Sequence, residues 1–279
     1  MVNKVIVFGD SFLYGHETNY TDFVEHPDFK KNFKKAVGIK WQLAQGGKHK
    51  PEFTPAQLKS WFDFLKELDD NEKQNCADNS IGGYLANELH VSNYLNFAVV
   101  GSSNNFILYK VLKHQKEIAK NTLVVCGITS PLRDTKYEPT EQQLFNTVPN
   151  TDGDLTSIVI QTVAYTQAIK QIVESYGGRV VFIDPFGNFA QDPYHSGKAW
   201  DYVKLKAADI VSDYSHHNVL KMIDELNCEN FAPGLSSLYN WTQENNIAMF
   251  TPGGHYTKDV YKQYTDEHLV PYLRDKNVI

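Results

Sequence analysis

The sequence holds little cysteine. Its three residues, Cys76, Cys126 and Cys228, are widely spaced and odd in number. With no Cys-x-x-Cys pair, a cysteine-based metal cluster and a disulfide framework are both excluded. Cys126 lies in an apolar run and reads as a core thiol. No His, Asp and Glu residues cluster at metal-ligand spacing, so neither a metal nor a cofactor is expected. No apolar stretch approaches the roughly 18–20 residues of a membrane span. The N-terminus runs straight into a strand, without an apolar region and cleavage site. These absences predict a cytoplasmic protein with no membrane partner, association with a virion being the alternative. A long Lys/Arg block is missing too, and the formal net charge is -6, which argues against a nucleic-acid partner. The broken run Lys30-Lys31-Asn32-Phe33-Lys34-Lys35 reads as a solvated face. The Gly-x-Gly-x-x-Gly and Gly-Lys-[Ser/Thr] loops of nucleotide-binding domains are also absent.

What is present is enough chain for one large α/β domain over residues 1–279, able to bury a core without disulfides. Hydrophobic content is 42% and aromatic content 13%, the first slightly low and the second high. Continuous apolar runs predict strands at Lys4–Phe8, Tyr94–Val100, Thr122–Thr129 and Arg179–Asp184, with a weaker fifth at Ile247–Phe250. Helices fit between them. One follows the Thr54-Pro55 cap, with Leu58, Trp61, Phe62, Leu65 and Leu68 at helical spacing. Others are expected over Ile81–Leu89, Phe106–Lys120 (Ile107, Val111 and Ile118 on one side), Leu155–Tyr176 and Lys258–Arg274. Such alternation predicts a mostly parallel, five-stranded sheet with right-handed crossovers. Two regions break it, near 17–55 and 191–246. The second carries short helical patterns around Trp200–Tyr214, Val219–Leu226 and Leu235–Asn245. Both read as insertions over one end of the sheet, where lids and pockets are built.

The polar residues gather at strand exits. Val5-Ile6-Val7-Phe8 ends in Gly9-Asp10-Ser11, which puts a serine at the sheet edge where α/β proteins bind ligands. Ser11 is the nucleophile candidate, and its own backbone N–H is a candidate oxyanion donor. Asp10 reads as a residue that holds the turn through hydrogen bonds to backbone N–H groups. The second strand exits through Gly101-Ser102-Ser103-Asn104-Asn105. Gly101 can offer an N–H to an anion, and Asn104 or Asn105 can add a carboxamide; Ser102–Asn105 can equally cap the next helix. The third strand exits through Thr129, Ser130 and Arg133, whose hydroxyls and guanidinium suit a substrate carboxylate or phosphate, though Arg133 can also pair with Asp134. His255, in the turn Pro252-Gly253-Gly254-His255 before the last helix, is the general-base candidate. His16 is the runner-up base, and His195 could line a pocket in the second insertion.

Taken together, these pieces resemble the SGNH/GDSL hydrolase family, in a divergent branch of the kind seen in phage sequences. Gly9-Asp10-Ser11 matches the family's first motif. Asn96–Gly101 looks like its Asn-x-Ala-x-x-Gly strand exit, and His255 with Tyr256-Thr257-Lys258 looks like its last. The resemblance implies a flavodoxin-like three-layer α/β/α sandwich and ester or acyl hydrolysis through Ser11 and His255. Ser11, Gly101 and Asn104 would serve the oxyanion, while Asn105, Thr129 and Arg133 would contact substrate. Small acyl esters are the implied substrates, O-acetyl groups on carbohydrate among them. The chain departs from the family twice. Gly127-Ile128-Thr129-Ser130 replaces the usual Gly-x-Asn-Asp, leaving Asn104, Asn105 or the Thr129 hydroxyl to substitute. Pro252 stands where the orienting Asp is usual. Either a Ser–His dyad then operates, a backbone carbonyl orients the His255 imidazole, or a distant acid such as Asp184, Asp192 or Asp201 fills in. The competing expectation is a catalytically weak or inactive protein of the same fold that binds rather than cleaves.

Overall fold

Side-chain alternation along three strands divides the core in two. The computed structural model describes residues 2–15, 18, 70–129, 133–136, 146–149, 155–183, 235–247 and 255–279. Within them β1 (Lys4–Phe8), β2 (Asn93–Asn96), β3 (Thr122–Gly127) and β6 (Arg179–Ile183) form a parallel sheet in the order β2-β1-β3-β6. Val5 aligns with Tyr94 on one side and Leu123 on the other, and Cys126 aligns with Phe182. Val5, Val7, Leu123, Val125, Val181 and Ile183 point into one apolar cluster; Ile6, Phe8, Val124, Cys126 and Phe182 point into the other. A two-residue period of this kind demands cover on both faces.

The helices supply that cover. On the first face lie α3 (Ile81–Glu88), α6 (Leu238–Glu244) and the C-terminal helix, which runs as α7 (Lys258–Tyr264), a π-helical turn (Thr265–Leu269) and α8 (Val270–Asp275). On the second lie α4 (Asn104–His114) and α5 (Leu155–Ser175), which contribute Ile107, Val111, Ile169 and Val173. The result is an α/β/α three-layer arrangement with flavodoxin-like strand order, in which the β1/β3 junction is the topological switch point. Two further helices attach to this frame, the single turn α1 (Ser11–Tyr14) and α2 (Asp70–Asp78). Among the described residues, no helix is long and apolar enough to cross a membrane.

Several expected boundaries shift. The second strand ends at Asn96 rather than Val100, because the Asn96 side chain accepts the Ala98 N–H at 3.0 Å and bends the exit. The third ends at Gly127, two residues early. The helix expected to run to Lys120 stops at His114, passes through a 3-10 turn (Gln115–Glu117), and delivers Ile118 to the core from an extended backbone. The long helix after Leu155 closes as expected, the Gly178 N–H bonding back to the Val173 carbonyl at 3.0 Å. Ile247 belongs to no strand, and 248–250 lie outside the described residues, so the sheet described has four strands. An antiparallel pair, β4 (Arg133–Lys136) with β5 (Asn146–Pro149), was not expected. The helices expected at Leu58–Leu68, Trp200–Tyr214 and Val219–Leu226 lie outside the described residues, as do both insertions apart from Thr18 and 235–246.

Candidate active site

The β1 exit is built around one leucine. The Asp10 carbonyl accepts the Tyr14 N–H at 2.9 Å, which opens α1 at Ser11. The Leu13 side chain then drops onto the sheet edge, fully buried. It can do so only because β3 ends in glycine: a Cβ on Gly127 would stand 2.4 Å from Leu13 Cδ2, far inside van der Waals contact. Ser11 is therefore the first residue of a short helix seated at the switch point, where backbone N–H groups have no intrahelical acceptor. After α1, Thr18 donates its hydroxyl to the Gly15 carbonyl at 2.8 Å and the Cys76 carbonyl at 3.2 Å, tying the turn to α2.

Asn96 braces the same turn from β2. Its Nδ2 donates to the Leu13 carbonyl at 3.2 Å and to Tyr94 Oη at 3.0 Å. The Tyr94 hydroxyl in turn donates to the Ala77 carbonyl at 3.0 Å and lies 3.1 Å from Ser80 Oγ. Burial pushes the Tyr94 phenol well above its ordinary range, so it stays a donor at any physiological pH. Beyond Asn96 the chain still follows β1. The Phe97 N–H bonds to Val7 at 2.8 Å and the Val99 N–H to Gly9 at 3.0 Å. Gly101 then turns the chain into α4 with φ +78°, a conformation that favours glycine. The Ser102 hydroxyl and N–H both bond to the Val99 carbonyl. Ser103 is the N-cap of α4 but makes no side-chain cap; its hydroxyl donates to Asn105 Oδ1 instead.

A buried polar network joins the three exits. Asn104 Oδ1 accepts the Thr129 N–H at 3.0 Å, and Asn104 Nδ2 donates to the Thr129 carbonyl at 2.8 Å. The Thr129 hydroxyl donates to Asp10 Oδ2 at 3.1 Å. Asp10 and Thr129 are each 1% exposed and Asn104 5%. The donor described at Asp10 is thus a threonine hydroxyl from a neighbouring strand exit, where backbone N–H groups of its own turn were the partners expected. The Asn104 carboxamide, expected at the oxyanion, is spent on the Thr129 backbone through its oxygen and one N–H. The Thr129 hydroxyl, a further substitute donor beside Asn104 and Asn105, donates to Asp10. Sequence reasoning missed this clamp and the brace formed by Tyr94. The one signal for either was the polarity of three neighbouring strand exits.

His255 is held by its neighbours. It is buried, and Tyr256 and Thr257 beside it are fully so. The Tyr256 hydroxyl lies 3.1 Å from Thr242 Oγ1, and its ring meets Tyr261 edge-on at 6.2 Å. The Thr257 carbonyl accepts the Val260 and Tyr261 N–H groups, which starts α7. Tyr256 and Leu13 belong to one continuous apolar cluster on the first face of the sheet. The residue beside His255 and the residue two past Ser11 thus both belong to the core on the first face of the sheet.

Gly101, Asn104 and Thr129 come to the same sheet edge as the Ser11 turn. Asn105 sits in the first turn of α4, and Arg133 opens β4 opposite Pro149. The side chains of Ser11 and Arg133 lie outside the described residues, as do His16, Ser130, Asp184, Asp192, His195, Asp201 and Pro252. Cys126 is a core thiol, and burial raises it far above the ordinary thiol range. Among the described residues, no group of three or more His, Cys, Asp or Glu could hold a metal ion.

No family model and no curated protein matches the chain. Among solved structures, the chain is similar to the crystal structure of protein YXIM from Bacillus subtilis, with 12% identity and a TM-score of 0.44. The match covers 100% of this chain and 58% of that one, so the chain spans little more than half the length of that protein.

Proposed function

We propose that the protein is a serine ester hydrolase of SGNH/GDSL type acting on small acyl esters, O-acetyl groups on carbohydrate among them. Ser11 Oγ attacks the acyl carbonyl while His255 takes its proton. The Ser11 and Gly101 N–H groups stabilise the oxyanion. Collapse expels the alcohol, which takes the proton back from His255. Water, deprotonated by His255, then releases the acid and restores Ser11. The observation that carries this reading is the gathering of the Ser11 turn, Gly101 and Thr129 at one edge of the parallel sheet, tied together by the Asn104–Thr129–Asp10 hydrogen bonds.

The test is p-nitrophenyl acetate hydrolysis by the wild type, Ser11→Ala and His255→Ala. Ser11→Ala should fall to the buffer rate and His255→Ala should lose about 10²-fold or more. Equal rates in all three would overturn the assignment. A second reading follows from Pro252 at the usual acid position and from the missing Asn after β3. In it the same fold binds a ligand, in the cytoplasm or on a virion, without turnover. A fluorophosphonate probe separates the two, since it labels Ser11 only if that serine is activated.

A further inference from the structure

We propose that Thr129 and Asn104 are positioning residues for the Ser11 turn, acting through Asp10; this rests on the ester-hydrolase reading. The hydrogen bonds form a closed circuit around the switch point. Val99 donates to Gly9, Ser102 bonds back to Val99, Asn104 pairs with both backbone groups of Thr129, and the Thr129 hydroxyl reaches Asp10, one residue past Gly9. The circuit fixes the exits of β1, β2 and β3 relative to one another. Ser11 is bonded directly to its last member.

Two features argue against a role in stability alone. Buried polar groups do less for stability than apolar packing of the same volume, because each must be desolvated. Leu13 against Gly127 already fastens the turn to the sheet by packing. What the circuit adds is direction, since a hydroxyl on a carboxyl oxygen and a two-point carboxamide pair fix orientation as well as distance. A nucleophile needs that kind of control, as a misplacement of about 1 Å can cost on the order of 10²-fold in rate.

The test uses the full chain with p-nitrophenyl acetate and a fluorophosphonate probe. Thr129→Val keeps the shape and removes the hydroxyl. It should lower kcat and the labelling rate on the order of 10- to 100-fold with KM unchanged, and Thr129→Ser should restore both. Should Thr129→Val not fold, as judged by circular dichroism, Asp10→Asn and Asn104→Asp are read in the same assays. These change one bond of the circuit each and should lower kcat in the same way. Wild-type kcat and labelling in the folded variants, or a loss in Thr129→Val that Thr129→Ser does not restore, would overturn the positioning role. Failure of the wild type itself to label or turn over would instead overturn the hydrolase reading.

Discussion

His268 accepts the backbone N–H of Ser236 through Nε2 at 2.8 Å. The bond joins the π-helical turn of the C-terminal helix to the start of the segment that carries α6. The ring also stacks on Trp241 at 6.5 Å and meets Tyr264 at 5.6 Å, while the Tyr264 hydroxyl bonds to the Ser236 carbonyl at 3.1 Å. An acceptor Nε2 requires the neutral ring.

The pH dependence follows. Burial holds His268 below the ordinary histidine range, against a smaller opposing pull from the Glu244 carboxylate. The folded state therefore binds fewer protons than the unfolded chain as pH falls past about 6.5. The stabilisation is complete above that pH and is lost as pH falls toward the lowered folded value. His114, stacked on Phe97 and lowered by burial and by Lys110 and Lys113, contributes with the same sign. Melting curves from pH 8 to pH 5 should show wild type losing more Tm than His268→Gln. Parallel losses would remove His268 from the account.

Gly127→Ala should destabilise. The new methyl meets a buried Leu13 that has no free side to retreat to, and overpacking of this kind costs about 1–3 kcal/mol. Adding Leu13→Ala should recover part of the loss, so the double variant will be more stable than the sum of the singles predicts. Denaturant titration of the four proteins gives the coupling; strict additivity would mean the contact is slack.

Asn96→Ala removes the donor to the Leu13 carbonyl and the acceptor for the Ala98 N–H. The expected loss is about 1–3 kcal/mol, with a further fall in ester hydrolysis because the α1 turn loses its brace. A drop in Tm with kcat unchanged would separate the brace from the chemistry.

Thr257 is the N-cap of α7, yet its buried hydroxyl makes no hydrogen bond. Replacing a threonine cap ordinarily costs about 1 kcal/mol. Thr257→Val should instead be neutral or raise stability by up to about 1 kcal/mol, because it removes an unsatisfied buried group. A loss of the ordinary size by thermal melting would contradict this.

How much was legible depended on how local the cause is. β1, β3 and β6 read clearly because strands covered on both faces are continuous apolar runs. The Ser11 turn, Gly101 and Thr129 were found at one edge because parallel strands put every exit on the same side. The clamp was not legible, since its partners stand 25 and 119 positions apart and no local pattern pairs an Asn with one Thr backbone. The β4–β5 pair is too short and polar to read as strand. The π-helical turn left no trace either: with Thr265 included, the buried positions 260, 261, 264, 265, 269, 270 and 273 still step by three or four, as on an ordinary helix face.

The Thr18 hydroxyl, shared between Gly15 and Cys76, makes the long passage between those points begin and end at one place. Closing a loop costs only about 0.6 kcal/mol more for each doubling of its length. With both ends of that passage tied at this knot, the seat of the serine turn is set by the Gly15–Thr18–Cys76 bonds and depends little on how much chain lies between Gly15 and Cys76.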